Sequence, residues 1–178
     1  MKFSVIIPIY NSAPFLHRCL DSLLIGNEKF AADGGFELVL IDDGSTDESP
    51  DICMEYAKKY PNIKHITQKN AGPAAARNKG ISVSEGKYLT FVDSDDAVSS
   101  DFFCVLNKAT DTTDVDMIIF GIRHIGKNGE ILQTYPAQKI EGREQIVGFL
   151  AQNHGSGDLN RANKVFSRAL FRDGSLRY

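Results

Sequence analysis

The sequence predicts an α/β protein built on a mostly parallel sheet with helices on both faces. Three observations lead there. Near-continuous apolar runs at Phe3–Ile9, Phe36–Ile41 and Tyr88–Val92 have the length and the β-branched or aromatic content of strands buried on both faces. Helix-period stripes of apolar residues follow the first two runs, and the connections are short. Alternation of this kind folds through right-handed crossovers, which set consecutive strands parallel.

The chain has 178 residues, 42% hydrophobic and 24% charged, an ordinary globular composition with room for one α/β domain around a real core. A formal charge of -3 gives no reason to expect nucleic-acid binding. Cys19, Cys53 and Cys104 are odd in number, lack CxxC spacing and have no nearby His, so reduced thiols of a cytoplasmic protein are expected. The N-terminus opens directly on a strand, without a basic region or cleavage site, and no signal peptide is expected. The longest apolar runs are strand length, which predicts no spanning helix and leaves room only for peripheral contact with a membrane.

Taken in order, Phe3–Ile9 is the first strand, and Pro8, which lacks an N–H, is expected to end its pairing. Tyr10-Asn11-Ser12 forms the following loop, with Ser12 as a helix cap and Pro14 in the first turn. Phe15, Leu16, Cys19, Leu20, Leu23 and Leu24 make the helix stripe, and Gly26 to Gly35 breaks it. Phe36–Ile41 is the second strand, running into Asp42-Asp43-Gly44-Ser45-Thr46-Asp47, where Ser45, Thr46 or Asp47 can cap a helix that Pro61 stops. Ile63–Gln68 is a shorter, more polar strand suited to a sheet edge. Asn70 to Gly80 reads as a loop feeding a small-residue helix, whose free N–H groups suit an anion. A helix around Asp101–Ala109 leads to the strand Met117–Phe120. Asn128-Gly129 marks a hairpin between 122–124 and 131–133, a helix is expected over 141–152, and order resumes at Asn163–Arg168.

In parallel sheets, ligands bind beyond the carboxyl ends of the strands. Three polar clusters fall on that rim: Tyr10-Asn11, Asp42-Asp43 and Asp93-Ser94-Asp95-Asp96. Strand alternation places Asp93 and Asp95 on one side, with Asp96 adding a third carboxylate. Carboxylates crowded together repel, and a hard cation, Mg²⁺ or Mn²⁺, relieves them through oxygen ligands. The alternative is a solvated acidic turn. Tyr10 suits stacking on a nucleobase or a half-buried structural place, and Asp43 suits hydrogen bonds from a base or ribose or plain turn capping. No GxGxxG follows the first strand, and no GxxxxGK[ST] or GxSxG is present. His17, His65 and His124 read as structural or surface residues, and His154 lies in a Gly-rich loop.

Taken as a set, SVIIPIYN (Ser4–Asn11), ELVLIDDGSTD (Glu37–Asp47), NAGPAAARNKGI (Asn70–Ile81) and GKYLTFVDSDD (Gly86–Asp96) resemble family 2 glycosyltransferases of the Rossmann-like GT-A fold, with a looser match at RANKVFSRALF (Arg161–Phe171). The resemblance implies a nucleotide-diphospho-sugar donor, a UDP-sugar favoured, held by Pro8, Tyr10, Asn11, Asp42, Asp43, Gly72, Arg77, Asp93, Ser94 and Asp95. It implies Mg²⁺ or Mn²⁺ on Asp93, Asp95 and Asp96, and transfer with inversion to a saccharide or lipid-linked acceptor. Asn78 matches a motif beside the donor. Cell-surface polysaccharide biosynthesis in the cytoplasm, with room for peripheral association at the inner face of the membrane, goes with this reading. It divides the chain into a donor-binding domain at 1–120 and the start of an acceptor-side part at 121–178, with the family's general base expected beyond Tyr178. Asp158 lies upstream of the place for that base. A donor-binding module without turnover is the alternative. An Asp-based phosphohydrolase ranks lower, because Ala97 stands where that chemistry expects Thr or Val and the acidic strand is far from the N-terminus.

Overall fold

In the computed structural model the apolar runs become strands that are buried on both faces. The structure describes residues 1–111, 116–126, 128–135, 138–140, 145–146, 163–172 and 177. The strands are β1 (Phe3–Ile9), β2 (Phe36–Asp42), β3 (Ile63–Thr67), β4 (Tyr88–Phe91), β5 (Met117–Ile119), β6 (Ile122–Ile125), β7 (Ile131–Tyr135), β8 (Gln138–Ile140) and β9 (Lys164–Ser167). The helices are α1 (Ala13–Leu24), α2 (Glu28–Ala32), α3 (Ser49–Lys59), α4 (Pro73–Val83) and α5 (Phe102–Asp111). Seven strands form one sheet in the order β3-β2-β1-β4-β9-β5-β8, and β6 pairs with β7 separately.

Every residue of β2 and all of β1 except Pro8 are buried. Successive side chains point to opposite faces. Val5, Ile7, Leu38 and Leu40 join Leu16, Leu20 and Leu23 of α1, Cys53 of α3 and Phe103 of α5 in one cluster. Ile6, Val39, Ile41, Phe91 and Phe166 join Ala76 of α4 in the other. Burial of each such side chain contributes about 1.5–3 kcal/mol. α4 lies close to the sheet because its inner residues are small: a Cβ on Gly80 would stand 2.3 Å from Cγ2 of Ile6.

The parallel core β3-β2-β1-β4 is as expected, with β3 at the edge. The Asn128-Gly129 turn joins an antiparallel β6–β7 pair, and Gly129 takes φ +85°. Several expectations need correction. Pairing of β1 does not stop at Pro8; it runs with β2 to Ile9↔Asp42 and stops early only toward β4, at Ile6↔Phe91. Parallel strands turn alternate residues to alternate neighbours, so the missing N–H of Pro8 falls on the side where β4 has already parted. β4 itself ends at Phe91, so Asp93–Asp96 form a loop and strand alternation does not place them. The segment 26–35 contains the short helix α2. The order around Asn163–Arg168 includes a strand, β9, inserted antiparallel between β4 and β5. Of the helix expected over 141–152 only Gln145 and Ile146 are described, Ile146 being buried; His154 and Asp158 lie outside the described residues.

Candidate functional site

The carboxyl ends of β1, β2 and β4 open on a cleft of about 410 Å³ lined by Pro8, Ile9, Tyr10, Ser12, Asp43, Asn70, Gly72, Pro73, Ala76, Arg77, Asp93 and Ser94. Tyr10 stands at its mouth, 51% exposed, with its ring open to a partner. Asn11 takes φ +49°, a left-handed conformation that Asn tolerates better than most residues. Its side chain does not line the cleft. The Asn11 Oδ1 accepts the Thr46 N–H at 2.8 Å, and its own N–H donates to Ser45 Oγ at 3.0 Å, so Asn11 ties the loops after β1 and β2 together. Ser12 stands at the N-cap of α1, but its hydroxyl makes no cap bond; it meets Ser94 Oγ at 2.6 Å. The capping falls to Asp47, whose two oxygens accept the Ala13 and Ser49 N–H groups at 3.0 Å each, at the starts of α1 and α3. Burial works against the Asp47 charge, yet the bonds from Ser49 and Ala13 hold its carboxyl below the usual range.

The two neighbouring acids of the second loop separate in role. Asp42 is 1% exposed and behind the cleft, with Oδ1 accepting the Ser45 N–H in turn fashion at 3.0 Å. Asp43 faces the cleft. Its Oδ1 accepts from Gln68 Nε2 at 2.7 Å and from the Ala71 N–H at 3.0 Å, and its Oδ2 accepts the Gly72 N–H at 2.8 Å. Asp43 therefore orders the segment leading into α4. Gly72, at φ +89°, supplies a backbone conformation that side-chain-bearing residues avoid. Pro73 then starts α4 at the cleft wall.

At the third loop, Asp93 Oδ1 accepts from Arg77 of α4 at 2.6 Å, an ion pair on the cleft wall. Ser94 is buried against Ser12, while Asp95 and Asp96 are exposed. The Asp96 N–H closes a turn onto the Asp93 carbonyl at 3.0 Å. The Asp96 carboxyl is pushed up, by withdrawal from water and then by the charges of Asp93 and Asp95, with Arg18 and His124 opposing. Among the described residues no three carboxylate, imidazole or thiol groups converge as a ready cation cage. The three-carboxylate cage expected from alternation is thus not preassembled, because Asp93 is turned to Arg77. The donor set still suits a hard cation, since like-charge crowding at Asp96 is what a cation relieves, and Mg²⁺ sites commonly use one or two carboxylates with water and substrate phosphate.

Of the residues expected at a donor, Pro8, Tyr10, Asp43, Gly72, Arg77, Asp93 and Ser94 meet in one cleft; Asn11, Asp42 and Asp95 are outside its lining. Sequence reasoning missed Ser12 and Asn70 as cleft residues. Ser12 reads as an ordinary helix cap and Asn70 as a loop residue, and neither type signals the contact it makes. Among the described residues no helix is long and apolar enough to cross a membrane.

The chain is similar to known proteins along most of its length. Glycosyltransferase GlyG of Streptococcus pneumoniae serotype 4 is 38% identical over 174 residues, 95% of this chain and 55% of its own length. The minor teichoic acid biosynthesis protein GgaA of Bacillus subtilis is 43% identical over 135 residues, 70% of this chain and 28% of its own. The crystal structure of S. aureus TarS 1–349 matches the whole chain with a TM-score of 0.71 at 27% identity, the chain covering 50% of it. The chain thus spans about half or less of the length of the proteins it resembles here. The fold is the α/β GT-A architecture of these enzymes. The sequence profile of glycosyl transferase family 2 matches residues 4–175, and the chain belongs to that family.

Proposed function

We propose that the chain is the donor-binding part of an inverting glycosyltransferase that takes a nucleotide-diphospho-sugar, with a UDP-sugar favoured, and passes the sugar to a saccharide or lipid-linked hydroxyl in cell-surface polysaccharide synthesis. The observation that carries it is the convergence of Tyr10, Asp43, Arg77 and Asp93 on one cleft at the carboxyl edge of a parallel sheet. TarS, similar over the whole chain, has been solved with UDP and with UDP-GlcNAc, which supports a uridine donor.

The residues divide the work. The exposed Tyr10 ring offers a stacking face for the base. Asp43, already accepting three N–H groups, keeps lone-pair capacity for a further donor from base or ribose. The amino end of α4 and the Arg77 guanidinium favour the diphosphate. Asp93, Asp95 and Asp96 would hold Mg²⁺ or Mn²⁺, which, when bound, supplies positive charge against the departing diphosphate. Inversion needs a base for the acceptor proton. Asp43 and Asp93 are poor candidates for it, since both carboxylates are already engaged, Asp43 by Gln68 and the Ala71 and Gly72 N–H groups and Asp93 by Arg77. We assign residues 1–120 to donor binding and 121–178 to the start of the acceptor side, whose β9 pairs into the sheet beside β4. Its place is the cytoplasm, with peripheral contact at the inner face of the membrane.

Calorimetric titration of UDP, GDP and dTDP, with Mn²⁺ and with EDTA, tests the reading. UDP is expected to bind tightest, more tightly with Mn²⁺, and Asp43→Ala to weaken it at least about tenfold, as loss of a charged hydrogen-bond acceptor does. Equal binding by wild type and variant, or none by wild type, removes it.

A further inference from the structure

The acid loop 93–98 has little of its own to hold it. β4 ends before it, and its internal backbone bond runs from the Asp96 N–H to the Asp93 carbonyl. Arg77 of α4 holds the Asp93 carboxylate, and the remaining ties described come from α1 and the residue before it. Ser12 Oγ meets Ser94 Oγ at 2.6 Å. The Arg18 guanidinium donates to the Asp95 carbonyl at 2.5 Å. The buried Cys19 thiol donates to the Asp93 carbonyl at 3.6 Å. Ser22 Oγ accepts the Val98 N–H at 3.0 Å and donates to the Cys19 carbonyl at 2.7 Å. The ties therefore fall on residues 93, 94, 95 and 98, three of them on backbone atoms. Asp95 and Asp96 are exposed residues, although the Asp96 carboxyl is itself partly withdrawn from water.

We infer that α1 is the frame that shapes the acid loop, and that Arg18 is a positioning residue which fixes the Asp95–Asp96 turn for the cation and diphosphate. This rests on the reading of the cleft as a cation-assisted donor site. A loop with its backbone fixed and Asp95 and Asp96 exposed is what a cation site needs before the cation arrives, because ordering the ligands then costs nothing on binding. Arg18 suits the part twice over. It is a planar donor able to reach a carbonyl in fixed geometry, and its charge stands beside a cluster of three acids. Being exposed, that charge is screened, so the hydrogen bond to Asp95 carries the larger share. Arg18 touches neither cleft nor carboxylate oxygen in the contacts described; its action passes through the Asp95 backbone.

The test uses the full chain as wild type, Arg18→Gln, Arg18→Lys and Ser22→Ala, read by hydrogen exchange and by UDP titration with Mn²⁺ and with EDTA. In Arg18→Gln the amides of Asp96 and Val98 are expected to exchange about tenfold faster, with α1, α3 and the β1–β2 amides unchanged. Mn²⁺-dependent UDP binding is expected to weaken about five- to tenfold, the share of one charge-assisted hydrogen bond, while binding in EDTA stays within about twofold. Arg18→Lys should recover part of the loss, and Ser22→Ala should speed exchange at Val98 most. Unchanged exchange in the loop, or an equal rise throughout the chain, overturns the inference. So does equal weakening with and without metal. If wild type binds no UDP, the donor reading fails by itself, and loop exchange alone still decides whether α1 frames the loop.

Discussion

At the amino edge of the sheet, Glu37 is 1% exposed and fully engaged: Oε1 accepts from Ser4 Oγ and from the Glu85 N–H, both at 2.6 Å, and Oε2 pairs with Lys64 Nζ at 2.9 Å. Ser4 Oγ in turn accepts the Gly86 N–H at 2.8 Å, a close approach open only to glycine, since a Cβ there would stand 2.6 Å from the Phe3 carbonyl carbon. At the carboxyl edge, three acids crowd within four residues, and Asp96 feels its neighbours as repulsion. Burial acts against both charges. At Glu37 the bonds from Ser4, Glu85 and Lys64 outweigh it and hold the carboxyl below its usual range; at Asp96 the neighbouring acids add to it and push the carboxyl up. The amino edge spends its polar groups on stability. The carboxyl edge compensates Asp43 and Asp93 but leaves Asp96 under net repulsion, as sites poised for a ligand do.

The largest test of that contrast removes the crowded acids. An Asp95→Ala, Asp96→Ala double variant is expected to lose about a hundredfold in Mn²⁺-dependent UDP affinity, roughly 2.7 kcal/mol, with its melting temperature unchanged or slightly raised. Calorimetry and thermal unfolding together check it, and retained affinity would make the carboxyl edge an ordinary acidic turn. Next comes Glu37→Gln, expected to destabilise by about 1–3 kcal/mol at neutral pH through buried donors left without their anion. The sign with pH follows from the lowered carboxyl. Its stabilisation is present above the ordinary carboxylate range and fades as pH falls through the folded-state value, so the variant should show a shallower acid limb in urea titrations from pH 7 to 3. The smallest effect is opposite in sign. Asp96 is raised in the fold, so its charge opposes folding above the folded-state value and the penalty vanishes at acid pH. Asp96→Asn should stabilise at pH 7 within about 0.5 kcal/mol, with no gain at pH 3. A loss at pH 7 would break the contrast.

Much of this was legible in the sequence because the signals were local. β1 and β2 are apolar nearly throughout, α1 shows its stripe, and Asn128-Gly129 marks its turn. The three rim clusters follow from topology alone, since every parallel strand delivers its next loop to one edge. What was hidden depends on partners distant in the chain. Val165 and Phe166 look like a short ordered run, but nothing in them says that they pair with Leu89 and Thr90 on one side and Met117 and Ile118 on the other. Asn11 and Asp42 sit in polar clusters beside Tyr10 and Asp43, yet left-handed backbone at one and turn bonding at the other direct them away from the cleft. Arg18 falls between apolar stripe positions and reads as a solvated helix residue until the loop it reaches is in place.

The insertion of β9 bears on how the molecule is made. β5 has no pairing with β4; it joins the sheet through β9, whose residues are 164–167. During vectorial synthesis the first four strands can assemble while β4 presents a bare edge and β5, able to pair with β8, still lacks its link to the rest of the sheet. That interval lasts until more than seventy further residues have followed β4, at about 5–20 residues per second. An open strand edge of that kind invites a β9 from another copy. Crowded nascent chains should therefore be the condition under which exchanged dimers form.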